Sequence, residues 1–166
     1  MNPKIRRPLP LLLFLLLCAP LLAQTFTARV IRVIDGDTVA VLSGATETRI
    51  RLAECDAPES AQPFGPDATH FTTSLALGHT VTVSVQDKDR YGRTIAHIIT
   101  EQGLDVSTEL IRAGFAWWYR QYSTNPQLGD LEAEAHSAHR GLWIDPNPTP
   151  PSDWRHTHES VSYQKR

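Results

Sequence analysis

The sequence is short of three things, and each shortage excludes something. Cysteine is the first: the 166 residues hold two, Cys18 and Cys55. Cys18 falls in a segment that reads as an export signal, so Cys55 is left alone. One thiol makes no intramolecular disulfide, and an exported chain must then be stable by packing. Cys55 lies in a β-type run and is expected to be a small buried apolar residue. The second shortage is apolar length. Leu11 to Ala19 is unbroken but falls short of the ~20 residues of a transmembrane helix. Lys4, Arg6 and Arg7 precede it and Pro20-Leu21-Leu22-Ala23 follows, which is the layout of a secretory signal. Leu17 is too large for a lipoprotein cleavage before Cys18. We expect cleavage after Ala23, export to the periplasm or the medium, and no stable membrane insertion.

The third shortage is positive charge. The signal takes three of the 16 basic residues and none of the 18 acidic ones, so the net charge falls from −2 to −5. A nucleic-acid binder usually shows a basic footprint. Any polyanionic partner must therefore be held by a few placed cations or by a metal ion.

What remains after the signal is enough for one domain with a real core, and it shows no internal repeat. Phe26 to Ile34 is rich in β-branched residues and reads as a strand. Asp35-Gly36 is expected to turn it into a second strand, Asp37 to Leu42. After Ser43-Gly44 a third strand, Glu47 to Leu52, puts Ile50 and Leu52 on one face and Arg49 and Arg51 on the other. Ala53 to Pro66 reads as irregular. Asp67 to Leu77 carries Ala68, Phe71 and Leu75 at helical spacing, with Gly78 after its end. Val81, Val83 and Val85 alternate with polar residues as a fourth strand, Asp87 to Gly92 is a charged loop, and Thr94 to Thr100 is a fifth strand. Asp105 or Ser107 caps a short helix to Ala113, which Gly114 stops. Asn125-Pro126 opens a last helix with Leu128, Leu131, Ala135 and Ala138 on its apolar face, ending at Gly141. Residues 146–166 are proline-rich and polar, and read as a tail, extended on the surface or disordered. The order is that of an α+β domain, residues 24–145, built as a five-stranded OB-fold barrel with three helices. Such barrels commonly bind oligonucleotides or oligosaccharides.

Three stretches carry chemistry. Ile34-Asp35-Gly36-Asp37-Thr38-Val39 has a second aspartate that a turn does not need. Arg51-Leu52-Ala53-Glu54-Cys55-Asp56-Ala57-Pro58-Glu59 runs from a strand into a proline-stiffened loop. Asp89-Arg90-Tyr91-Gly92-Arg93 joins the fourth and fifth strands. Each alone is an ordinary turn or solvated loop. Together they place charged residues at strand ends, where one rim of a small barrel can gather them. Asp37, Asp56 and Glu59 offer the hard oxygens that calcium or magnesium prefers. Arg51 and Arg93 offer planar forks suited to phosphate. Three acids, two arginines and a divalent cation together carry +1, matched to a phosphodiester anion.

These blocks, with "ELIRAGFAWWYR" and "HRGLW" in order behind them, make the sequence resemble the staphylococcal nuclease (thermonuclease) family from about Ala28 to Trp143. The resemblance implies an OB-fold barrel with three helices and a calcium-dependent phosphodiesterase site, one cation per site, acting on DNA and RNA with single strands preferred. It implies Asp37 and Asp56 as carboxylate ligands of the metal, with the backbone carbonyl of Ala57 where the best-known member has Thr. It implies Arg51, Glu59 and Arg93 as catalytic, and ends left as 3′-phosphates. Arg90, Tyr91, Tyr119 and Tyr122 are candidates for holding substrate, the tyrosines by stacking on bases; at least one of Trp117 and Trp118 is expected in the core. Glu54 stands where the best-known member has an apolar residue, and a lysine-rich loop before the first helix is much reduced. His136 and His139, i and i+3 on a helix, read as a solvated face rather than a metal pair.

Three functional readings remain at this point: a secreted or periplasmic nuclease, a non-catalytic nucleic-acid-binding barrel, and an oligosaccharide-binding barrel. The first accounts for all five charged positions. The second would be expected to lose some of them, and the third has no need of them. A monomer is the default.

Overall fold

The computed structural model describes residues 24–164, with side chains to residue 158. The expected export signal lies outside the described residues. Five strands close a barrel: β1 (Thr25–Asp35), β2 (Thr38–Ser43), β3 (Thr46–Leu52), β5 (Thr80–Lys88) and β6 (Thr94–Thr100). Around the barrel the order is β1-β2-β3-β6-β5. All neighbours are antiparallel except β3 and β6, which pair Ile50 with Thr94 and Leu52 with Ala96 in parallel. Two further strands, β4 (Cys55–Asp56) and β7 (Trp117–Trp118), form a separate antiparallel pair.

Alternation builds the barrel core as expected. Ile50 and Leu52 are buried on one face of β3 while Arg49 is exposed on the other. Val81 and Val83 on β5 and Ala96 and Ile98 on β6 complete the interior, and Cys55 is fully buried beside them. Each such Val, Leu or Ile contributes about 1.5–3 kcal/mol by leaving water, so packing takes the place a disulfide would hold. β5 runs on past Val85 to Lys88 through a register shift, two residues into the expected loop.

The helices are α1 (Gly65–Ala76), α2 (Val106–Ala113), α3 (Pro126–Ser137) and α4 (Pro151–Gln164). α1 buries Ala68 and sets Phe71 against Phe115, ring centroids 5.2 Å apart. Asp105 is the residue that caps α2, its carboxylate accepting from the Thr108 N–H at 2.9 Å, and Gly114 stops the helix in the left-handed conformation. Asn125 caps α3 in the same way through Gln127. α3 ends at Ser137, before Gly141, and Ala138 is exposed rather than part of its apolar face. Leu128 and Ala135 are buried on that face as expected, and Glu132 is buried with them, accepting from the Trp118 N–H at 3.0 Å and pairing with Arg120 at 2.5 Å. Trp118 packs against the core, with Gly129 leaving room for its ring, while Trp117 meets Trp143 edge-on.

Two expectations are corrected. The described residues hold four helices, not three, because the segment read as an extended or disordered tail forms α4. The turn between β1 and β2 is Gly36-Asp37, with Asp35 paired to Thr38 across it. Asp37 is therefore a turn residue and not the first residue of the outgoing strand. No described helix is long and apolar enough to cross a membrane.

Candidate active site

The site begins with that turn. The Asp35 carboxylate accepts from the Asp37 N–H at 3.2 Å, so the first aspartate shapes the turn that aims the second. Gly36 is pressed from two sides: a Cβ built there would lie 2.7 Å from the Ala57 Cβ and 2.8 Å from the Ala68 Cβ. Its carbonyl accepts from the Thr72 hydroxyl. The glycine thus lets α1 and the Ala57 loop close on the turn, which buries Asp37 to 6% exposure.

Asp37 Oδ2 accepts from the Ala57 N–H at 2.6 Å and pairs with Arg51 Nη1 at 2.9 Å. Arg51 Nη2 pairs with Asp56 Oδ1 at 2.8 Å, and Nη1 also donates to the carbonyls of Leu52 and Cys55. One guanidinium therefore stitches the turn, the end of β3 and β4 into a single unit. The two carboxylates share it. Burial pushes the Asp37 carboxyl up to about 7, and Arg51 offsets only part of that cost. Burial also works against the Arg51 charge, but Asp37 foremost holds it above its ordinary value, so Arg51 stays cationic.

Asp56 is 4% exposed and Glu59, three residues on across buried Pro58, has a side chain 37% exposed. The Glu59 N–H donates to Gln62 Oε1 at 3.1 Å, and the buried Gln62 donates through Nε2 to the Thr149 carbonyl at 2.6 Å. Tyr119, on the chain leaving β7, lies beside Asp56: burial first, then the Asp56 charge, raises its hydroxyl pKa. Its ring meets the exposed Tyr122 at 4.8 Å.

Arg93 is not brought into contact with these acids. Its Nε pairs with Asp89 at 2.6 Å, and the Asp89 carboxylate also accepts from the Tyr91 and Arg93 N–H groups. Tyr91 is 70% exposed and is flanked by the guanidiniums of Arg90 at 4.9 Å and Arg93 at 5.8 Å. The loop borders an open cleft of about 380 Å³ lined by Arg49, Lys88 and Arg93 among others. Three basic side chains thus border the cleft, with Glu47 also on its wall and Arg93 paired to Asp89.

Two functional residues escaped sequence reasoning. Glu54 sits at φ 64°, left-handed and non-glycine, a conformation that needs support. It has that support: the Tyr119 N–H donates to its carbonyl at 2.9 Å, the Ser123 hydroxyl to its carboxylate at 2.8 Å, and His97 Nε2 stands 3.6 Å away. Glu54 thus fixes the bend that carries Asp56. The second is Arg155 on α4, whose Nη1 meets Glu59 Oε1 at 2.7 Å and whose Nη2 meets Asp56 Oδ2 at 3.3 Å. Nothing in the polar helix sequence signals a partner about a hundred residues away. His136 and His139 are exposed around Trp143, as a solvated face should be.

Among the described residues no three acidic, His or Cys side chains converge as a ready-made metal shell. The donors brought together are hard oxygens, the Asp37 and Asp56 carboxylates sharing Arg51, with Ala57 held beside Asp37 through its N–H. A buried carboxylate whose charge one shared guanidinium under-compensates fits a divalent cation by chemistry.

Comparison with known proteins gives the family. The family described as "Staphylococcal nuclease homologue" matches residues 49–145. A protein of Escherichia coli O157:H7 named "Uncharacterized endonuclease" is 44% identical over 151 residues, covering 91% of this chain and 98% of its own. "Micrococcal nuclease" of Shigella flexneri is 35% identical over 147 residues, covering 82% of this chain and 84% of its own. "Protein ParB" of Escherichia coli is 36% identical over 136 residues, 76% of this chain and 77% of its own. With barrel, turn and acid loop in place, the chain belongs to the staphylococcal nuclease family and is a nuclease, a hydrolase of nucleic acid.

Proposed function

We propose that this nuclease is exported and calcium-dependent, cuts single-stranded DNA and RNA internally with little sequence preference, and leaves 3′-phosphate ends. The observation that carries the reading is the buried Asp37–Arg51–Asp56 unit, with Glu59 at its more exposed edge. When bound, a divalent cation would supply Lewis-acid polarisation of a phosphoryl oxygen. Asp37, Asp56 and the Ala57 carbonyl are the groups that would hold it.

The chain's own residues account for the rest. Arg51 keeps its charge beside two carboxylates and is set to neutralise charge growing on the phosphate. Glu59 orients a water and accepts its proton as oxygen attacks phosphorus. The bond from phosphorus to the 5′-oxygen breaks, Arg93 donates a hydrogen bond to that oxygen as it leaves, and the oxygen takes its proton from solvent water to become the 5′-hydroxyl. That role requires the Arg93 guanidinium to turn from Asp89 to substrate. Arg90, Tyr91 and the cleft beside them would hold the flanking strand, with Tyr119 and Tyr122 as stacking surfaces. Export rests on the reading of residues 1–23, and a monomer remains the default.

The test is to incubate the protein with end-labelled single-stranded DNA and RNA, with calcium and with chelator, and to analyse the new termini. Cleavage with calcium only, giving 3′-phosphates, is expected. Cleavage that persists in chelator, or 3′-hydroxyl products, would sink the reading.

A further inference from the structure

The family match ends at residue 145, and α4 lies beyond it. Yet α4 is not an appendage, since its Arg155 reaches into the acid cluster. We propose that Arg155 is a built-in cation of the site, a latch that must leave Asp56 and Glu59 before a divalent cation can bind. This rests on the metal reading above.

The charge balance is the first argument. Asp37 and Asp56 share one cation from the barrel, Arg51, while the Glu59 carboxylate pairs with Arg155. Arg155 thus supplies at Asp56 and Glu59 the positive charge that a divalent cation would otherwise bring. The second argument is occupancy. Asp56 has one oxygen on Arg51 and the other on Arg155, whose Nη2 lies 3.3 Å away. A hard cation would need that oxygen at about 2.3–2.6 Å, which sets it against the Arg155 charge. Glu59, the group that would take a proton from water, likewise already accepts from Arg155 through Oε1 at 2.7 Å, and a charge-assisted hydrogen bond makes a carboxylate a weaker base. The closed latch opposes ligation at Asp56 and weakens Glu59 as a base with one side chain.

The third argument is that the latch is placed yet weak. Gln62 bonds the Glu59 backbone with one end of its amide and the Thr149 carbonyl with the other, so the entry to α4 is tied to the acid loop itself. Pro151 is buried at the helix start. Arg155, by contrast, has a side chain 38% exposed, and its ion pairs are of the partly solvated kind that exchange readily. Tethering without tight holding lets the guanidinium return whenever the cation leaves, at high effective concentration.

The experiment titrates calcium into the full chain and into Arg155→Gln by calorimetry, without nucleic acid. Removing the competitor should tighten calcium binding by about 5-fold or more. In the wild-type protein, saturating calcium should speed hydrogen exchange of the amides of residues 151–164 while leaving the barrel protected. Equal affinity in the two proteins, or α4 protection that calcium leaves unchanged, overturns the latch while the metal reading stands. No calcium binding in either protein overturns both. The exchange measurement uses the unmodified chain, so it decides the matter even if the variant folds poorly.

Discussion

Gly36 is where one added methyl group reports on the whole site. It keeps an ordinary φ, so Gly36→Ala costs nothing in backbone strain; the cost is contact. The new Cβ would meet Ala57 Cβ at 2.7 Å and Ala68 Cβ at 2.8 Å, against about 3.5–4.0 Å for comfortable carbon contact. Something must move by roughly 1 Å. If α1 moves, the overpacking costs about 1–3 kcal/mol of stability. If the Ala57 loop moves, the 2.6 Å bond from its N–H to Asp37 breaks and the carbonyl beside Asp56 shifts with it. A displacement of that size is worth about 10²-fold in rate. Urea unfolding and cleavage of single-stranded DNA in calcium measure the two effects side by side. Gly36→Ala/Ala57→Gly removes one of the two collisions and should recover part of the lost rate. Wild-type stability and rate in Gly36→Ala would refute the claim that this close approach builds the site.

Other perturbations follow from the same contacts. Glu59→Gln should lower kcat by about 10²–10⁴-fold with an unchanged circular dichroism spectrum; a rate near wild type would remove Glu59 from the chemistry. His97 bonds Asp105 at 2.7 Å, and that hydrogen bond raises its pKa above the ordinary 6.5 against the opposing effect of burial. Its contribution to stability is then full below 6.5 and lost as pH rises through the raised value, so His97→Gln should cost about 1 kcal/mol at pH 6 and less at pH 9 in urea unfolding. An equal cost at both values would contradict the pairing. Glu132→Ala strips the acceptor from the Trp118 N–H and should cost about 1–3 kcal/mol, whereas Glu132→Gln keeps an acceptor and loses only the pair with exposed Arg120, under about 1 kcal/mol; thermal melts of the two variants would separate them.

Much of this was legible where a short-range pattern carries it. Alternating valines placed β5, Asp105 and Gly114 bracketed α2, and the motif blocks singled out Asp37, Arg51, Asp56 and Glu59. What escaped was settled by contacts distant in the chain. β4 and β7 are two residues each, too short for any period, and exist because Cys55 and Asp56 pair with Trp118 and Trp117. Glu54 looked anomalous because its partners, Tyr119, Ser123 and His97, come from three other segments. Glu132 broke an apolar face for the sake of Trp118 and Arg120. α4 has a polar, histidine-rich sequence with no apolar stripe, and the contacts that seat it run from Thr149 to Gln62 and from Arg155 to Asp56 and Glu59. Arg93 shows the reverse: the motif marks it, while the structure ties it to Asp89.

The central claim is that the buried Asp37–Asp56 pair is there to hold a divalent cation. The direct test is the calcium dissociation constant of Asp37→Asn beside the wild type, by calorimetry, with folding confirmed by urea unfolding in chelator. Removing a partner of a metal ligand typically costs about 10–100-fold in affinity, so losing the ligand itself should cost at least that much. A folded Asp37→Asn protein that binds calcium as tightly as the wild type would contradict the account.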